Sequence, residues 1–270
     1  MIIKIIDKDF TVIWDGIFYK KLSSYPEISD WELRTIIEFI EYENKYNRTC
    51  KIECEDKNLL DKINKEILHP EKYKNTPRPK LITECTACPT LKGCDTKFVC
   101  HTTSLENAKK IFSCGKLLSA INARKIPVEI LMKEKRNAAN DPADFFEYIM
   151  LAWGNCQAGD RLVMERDLER FPTEEDLSIN FNPGIRFYFK YDELIKHPFA
   201  ICDGFLPMKV QDEIELKDWV YKIVIPTKIK TEVENFIPEN LLNKIIYIEN
   251  NCKDIWEWTE KVFNTIKQEK

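Results

Sequence analysis

Apolar and polar residues alternate along Met1–Asp7 and again along Thr11–Leu22, with Asp15-Gly16 as a turn signal nearby. A period of two places one face of a strand on a core, so both segments are predicted strands. The period then changes. Trp31, Leu33, Ile36, Ile37, Phe39 and Ile40 form one broad stripe at helical spacing over Trp31–Tyr46, with Ser29 or Asp30 placed to cap it. Thr49–Cys54 reads as a third strand, with Cys50 and Cys54 on one face as core residues, and Asn58–Ile67 as a second helix. The polar stretch from His69-Pro70 through Pro77-Arg78-Pro79 holds three prolines and reads as a linker. Residues 1–80 are therefore expected to form a small N-terminal α/β module.

In the remainder, 81–270, a strand ends in His101-Thr102-Thr103. A helix follows over Ser104–Cys114, with Ser104 as N-cap and Gly115 at the C′ position. Helices are also predicted over Pro127–Asn137 and from Asp141-Pro142 to Trp153, proline standing in the preferred first turn. Gly184–Tyr191, Trp219–Pro226 and Asn243–Glu249 read as strands, and Asp254–Lys267 as a closing helix. Six of the seven glycines lie between Gly93 and Gly204, which places the turns and ligand-facing loops in this part of the chain. Helices and strands in this arrangement make the fold class α+β.

Hydrophobic residues are 44% of the 270 and aromatics 11%, enough for a packed core and against global disorder. The net charge of −4, with both signs interspersed, argues against holding nucleic acid by bulk charge alone. No run approaches the ~20 apolar residues of a membrane span. MIIKIIDKDF has neither the basic region nor the long apolar run of a signal peptide. A cytoplasmic protein without a membrane partner is expected, with its ten cysteines reduced.

Three groups of residues carry candidate chemistry. Cys85-x2-Cys88-x5-Cys94-x5-Cys100 offers four thiols to a tetrahedral zinc. An iron–sulfur cluster is the less favoured metal, and loop thiols beside a strand-buried Cys100 are the plain alternative. Between residues 140 and 166, Asn155, Gln157, Asp160, Arg161, Glu165 and Arg166 crowd beside Trp153 and two glycines. Amides, guanidinium and indole suit a nucleobase or nicotinamide. The alternative is a helix and turn whose Arg161–Glu165 pair contributes about 0.3–0.5 kcal/mol. In GIRFYFKY, alternation puts Phe187 and Phe189 on a core face and Arg186 and Tyr188 on a polar one, which lines a cleft or is the wet side of an edge strand.

The segment FVCHTTSLENAKKIFSCGKLLSA, residues 98–120, sets an imidazole and two hydroxyls at a strand end before a helix N-terminus, a place suited to anions. The pattern H-x-T at His101–Thr103, a helix with Ile111 near its end, then G-x-L-x-S at Gly115–Ser119, resembles the opening of the ADP-ribosyltransferase fold. It is similar to DarT-type toxins and tRNA 2′-phosphotransferases, over roughly residues 97–226. The resemblance implies a split antiparallel β-sheet core of ADP-ribosyltransferase type. It also implies that His101 binds the adenosine-side ribose of NAD, with Thr102, Thr103 and Ser119 lining the same cleft. Trp153, Arg161 and Tyr188 would then face the nicotinamide or the acceptor. Such transferases carry a Glu on a late strand, and none falls clearly there. Asp203 in ICDGFLPMKV or Glu165 is the candidate acid, while Glu213 and Glu215 come too late. The implied function is NAD-dependent modification of a macromolecule, nucleic acid being a candidate acceptor. A toxin or phage-defence role would make an antitoxin a candidate partner. The alternative is a metal-stabilised module that binds nucleic acid or protein without catalysis.

Overall fold

The computed structural model describes residues 1–8, 11–14, 16–76, 97–133, 142–178 and 181–269. The chain divides into two compact units, one of Met1–Thr96, Asn137–Pro142 and Cys202–Pro207, the other of Lys97–Arg136, Ala143–Ile201 and Met208–Lys270. Helix and strand are mixed throughout, in keeping with an α+β class. Among the described residues no helix is long and apolar enough to cross a membrane.

The first unit runs β1 (Ile2–Ile6), β2 (Val12–Trp14), β3 (Ile17–Lys21), α1 (Asp30–Lys45), β4 (Lys51–Cys54) and α2 (Lys57–Glu66). Its sheet order is β2-β3-β1-β4, with β1 parallel to β3 and β4 and antiparallel β2 at one edge. The alternating residues Ile3, Ile5 and Phe18 meet the stripe of α1 at Leu33, Ile36 and Phe39, and Leu59 and Ile63 of α2 complete the core. Glu32 fixes the start of α1. One carboxylate oxygen accepts from the Ser29 amide (3.0 Å) and hydroxyl (2.7 Å), and the other accepts from both groups of Ser23. Asp56 caps α2 by accepting from the Leu59 amide at 2.8 Å. Cys50 and Cys54 are partly buried against this core.

Three features differ from the sequence expectation. The one strand expected over Thr11–Leu22 is two, β2 and β3, paired antiparallel. The segment read as a linker begins with a 3-10 turn, Pro70–Tyr73, whose tyrosine is buried with its hydroxyl donating to Glu66 at 2.7 Å. An aromatic ring with a polar partner for its tip docks where a mere spacer would stay in water. Cys202–Pro207 also packs in this unit. Phe205 meets Phe18 edge-on at 5.5 Å, and Gly204 lies against the α1 backbone.

The second unit runs β5 (Phe98–Thr103), α3 (Leu105–Cys114), β6 (Lys116–Leu118), α4 (Ala120–Arg124), α5 (Val128–Leu131), β7 (Tyr148–Trp153), α6 (Ala158–Leu168), β8 (Ile185–Lys190), α7 (Tyr191–Leu194), β9 (Ala200–Ile201), β10 (Met208–Gln211), β11 (Glu213–Glu215), α8 (Leu216–Trp219), β12 (Lys222–Pro226), α9 (Lys230–Val233), β13 (Ile245–Ile248) and α10 (Ile255–Gln268). Seven strands form one sheet, β13-β12-β8-β5-β7-β10-β9, while β6 and β11 pair apart from it. Neighbours are antiparallel except β12 and β13. On one face Val99, Ile185, Phe187 and Phe189 pack with Ala108 and Phe112 of α3. On the other, Cys100, Tyr188 and Val224 pack with Met164 of α6 and Trp258 and Val262 of α10.

The sheet is nearly parted at its middle. β7 pairs with β10 from Tyr148 to Leu151, but with β5 only through Ala152 and Trp153. From His101 onward β5 keeps its ladder to β8 alone.

The helix expected from Asp141 to Trp153 is a 3-10 turn at Ala143–Glu147 followed by β7. YIMLAW is apolar at both periods, and the ladders to β10 and β5 select the strand. The helix expected from Pro127 is the single turn α5, and its expected end beyond 133 lies outside the described residues. The strand expected from Trp219 starts at Lys222, because Trp219 ends α8. β8 is not an edge strand. It lies between β12 and β5 with both faces covered. The caps of α3 follow expectation: Ser104 accepts from the Asn107 amide at 3.5 Å, and Gly115 takes φ +70°.

Candidate functional site

Of the expected site residues, His101 is the one that stands where β5 and β7 part. His101 is half-buried there, its Nδ1 3.3 Å from the carbonyl of Met150 on β7. A carbonyl oxygen only accepts, so Nδ1 carries the proton and the neutral ring leaves Nε2 as a bare acceptor. Burial pulls the imidazole below its ordinary value. The Met150 carbonyl opposes this, and the charge of Arg166 on α6 adds to it. The ring is therefore neutral at pH 7, in the form that accepts a hydrogen bond from a ligand hydroxyl.

This depression has a measurable sign. The unfolded chain takes up a proton near pH 6.5 that the folded His101 refuses, so below that value unfolding gains protons and folding stability falls with pH. Wild type should lose more stability than His101→Gln between pH 7.5 and pH 5.5 in urea unfolding. An equal loss in both would mean that the imidazole is not desolvated.

The opposite face of β5 is sealed by α6 and α10. Gly159 opens α6 directly over Thr102, where an added Cβ would fall 2.4 Å from the Thr102 hydroxyl. Asp160 and Arg186 form a fully buried ion pair. Arg186 Nε donates to Asp160 Oδ2 at 2.7 Å, its Nη1 to the Tyr188 hydroxyl at 3.1 Å and its Nη2 to the Thr259 hydroxyl at 2.7 Å. Asp160 Oδ1 accepts from the Gly184 amide at 2.9 Å, and Tyr188 donates to the Gly154 carbonyl at 3.1 Å. Burial works against the Arg186 charge, and only Asp160, Tyr188 and Cys100 together outweigh it and hold the guanidinium above its ordinary value. Burial also raises the Tyr188 phenol and pushes the Cys100 thiol up to about 12.

Several expected site residues are thereby corrected. Tyr188 does not line a cleft, since its ring is covered and its hydroxyl is held inside this network. Trp153 stacks on the buried Tyr191 at 5.4 Å between centroids and packs with the core. Ser119 is buried as the cap of α4, accepting from the Asn122 amide at 3.4 Å. Arg161 points outward from α6 and is exposed, whereas Glu165 one turn on is half-buried. Asp203 belongs to the first unit, where its Oδ1 accepts from the Phe205 (3.0 Å) and Leu206 (2.7 Å) amides and braces its own loop. His101, Thr102 and Thr103 do share β5, but alternation turns Thr102 under α6 and leaves His101 and Thr103 on the other face.

Of the proposed metal ligands, Cys85, Cys88 and Cys94 lie outside the described residues. Cys100 is buried in β5, and burial pushes its thiol up to about 12. Among the described residues no group of three His, Cys, Asp or Glu is placed to hold a metal ion. Two surface depressions among the described residues, one beside Lys109, Cys114 and Phe236 and one beside Asn182, Lys228 and Asn250, contain none of the expected site residues.

Sequence reasoning missed the Met150 carbonyl that sets the His101 tautomer and the placement of Arg166 beside it. No local pattern signals either, because a backbone acceptor and a neighbour 65 residues away in sequence are supplied by packing. Compared with protein-family models, curated proteins and solved structures, the chain matches none.

Proposed function

We propose that the second unit is an ADP-ribosyltransferase-like domain that binds NAD where β5 and β7 part and transfers ADP-ribose to a macromolecule. The observation that carries the reading is His101, a neutral imidazole held by the Met150 carbonyl with Nε2 left as an acceptor, which in this reading takes a ribose hydroxyl. Further support comes from the H-x-T and G-x-L-x-S segments falling on consecutive strand, helix and strand β5-α3-β6, and from the parting of β5 from β7. In the reaction the bond from the ribose anomeric carbon to nicotinamide breaks and its electron pair leaves with nicotinamide. A nucleophile of the acceptor, for which a nucleic acid is one candidate, then attacks that carbon and gives up its proton. A carboxylate near the anomeric carbon lowers the cost of the cationic transition state. Glu165 of α6 is the candidate for that role that remains by elimination, because Asp203 holds its own loop in the other unit.

The test is NAD binding by calorimetry and turnover by release of nicotinamide. Removing one hydrogen bond to the ligand predicts that His101→Ala weakens binding about tenfold. Arg161→Ala, an exposed change, leaves it unaltered. Glu165→Gln keeps binding and lowers turnover by about 10²–10³-fold, the effect of losing a charge felt only in the transition state. Equal NAD affinity in wild type and His101→Ala, or no affinity in wild type, removes the reading.

A further inference from the structure

We draw no further inference here: the strongest candidate, the groove of the second unit lined by Ser178, Phe181, Asn182, Lys228, Asn250 and Cys252, bonds its amides to its own walls, and nothing in the structure shows what covers it.

Discussion

Replacing Arg186 with Met lowers folding stability by about 3–5 kcal/mol, the range for leaving one partner of a buried ion pair uncompensated. Both side chains are fully sealed from solvent, so Asp160 would keep its charge without a counterion or take up a proton in a site built for a carboxylate. The Tyr188 and Thr259 hydroxyls lose their guanidinium partner in the same step. Asp160→Asn should cost less, because an amide oxygen still accepts from Arg186 or Gly184. The double change Asp160→Leu with Arg186→Met should be less damaging than the sum of the single changes, since neither buried charge remains. Urea midpoints followed by tryptophan fluorescence, for wild type, Arg186→Met, Asp160→Asn, Asp160→Leu and the double variant, measure these differences. A loss below about 1 kcal/mol for Arg186→Met would mean that water reaches the pair, for exposed pairs contribute no more than that.

Gly204→Ala is expected to destabilise the first unit by about 3 kcal/mol or more. Its φ of +74° by itself disfavours a side chain by roughly 1–2 kcal/mol. The greater part is steric. An added Cβ would lie 2.0 Å from the Thr35 carbonyl and 2.6 Å from the Phe39 amide, both in the backbone of α1. A hydrogen-bonded helix cannot give way as a flexible side chain would, so Cys202–Pro207 must lift and take Phe205 off Phe18. Gly115→Ala supplies the comparison. Its φ is +70°, but nothing lies within 4 Å of the added atom, so only the conformational part applies. Thermal unfolding of the two variants should therefore differ by several degrees. Equal shifts would show that the 202–207 segment is not seated on α1.

The helices of the first unit are legible in the sequence for a local reason. Caps and stripes act over one or two turns, so Ser29, Glu32 and the Leu33–Phe39 stripe specify α1 with no help from distant chain. The same holds for α3, where Ser104 and Gly115 mark both ends, and for α10, which Asp254 caps by accepting from the Glu257 amide at 2.8 Å. The alternation of Ile3 and Ile5 likewise states which face of β1 is buried. YIMLAW carries no such decision. Its apolar run suits either a buried helix or a buried strand, and only the ladders to β10 and β5 choose.

The candidate site was legible as residue types but not as an arrangement. His101 at the end of a strand is visible in the sequence, and so is the crowding of polar groups after Trp153. Their division is not. Asp160 turns inward to Arg186, 26 positions later, while Arg161 beside it turns to water. Adjacent helix positions point about 100° apart, and which of them faces the sheet depends on how Gly159 sits over Thr102. Tyr188 and Arg186 read as a wet face only until β12 and β5 flank their strand and α6 and α10 cover it. Asp203 is an acid in the right stretch of sequence that the fold places in the other unit. Helix caps and hydrophobic period are properties of neighbouring residues, which is why the sequence by itself determined them. Strand partners, ion pairs and the owner of a loop depend on residues brought together from far apart in the chain, and those only the tertiary structure decided.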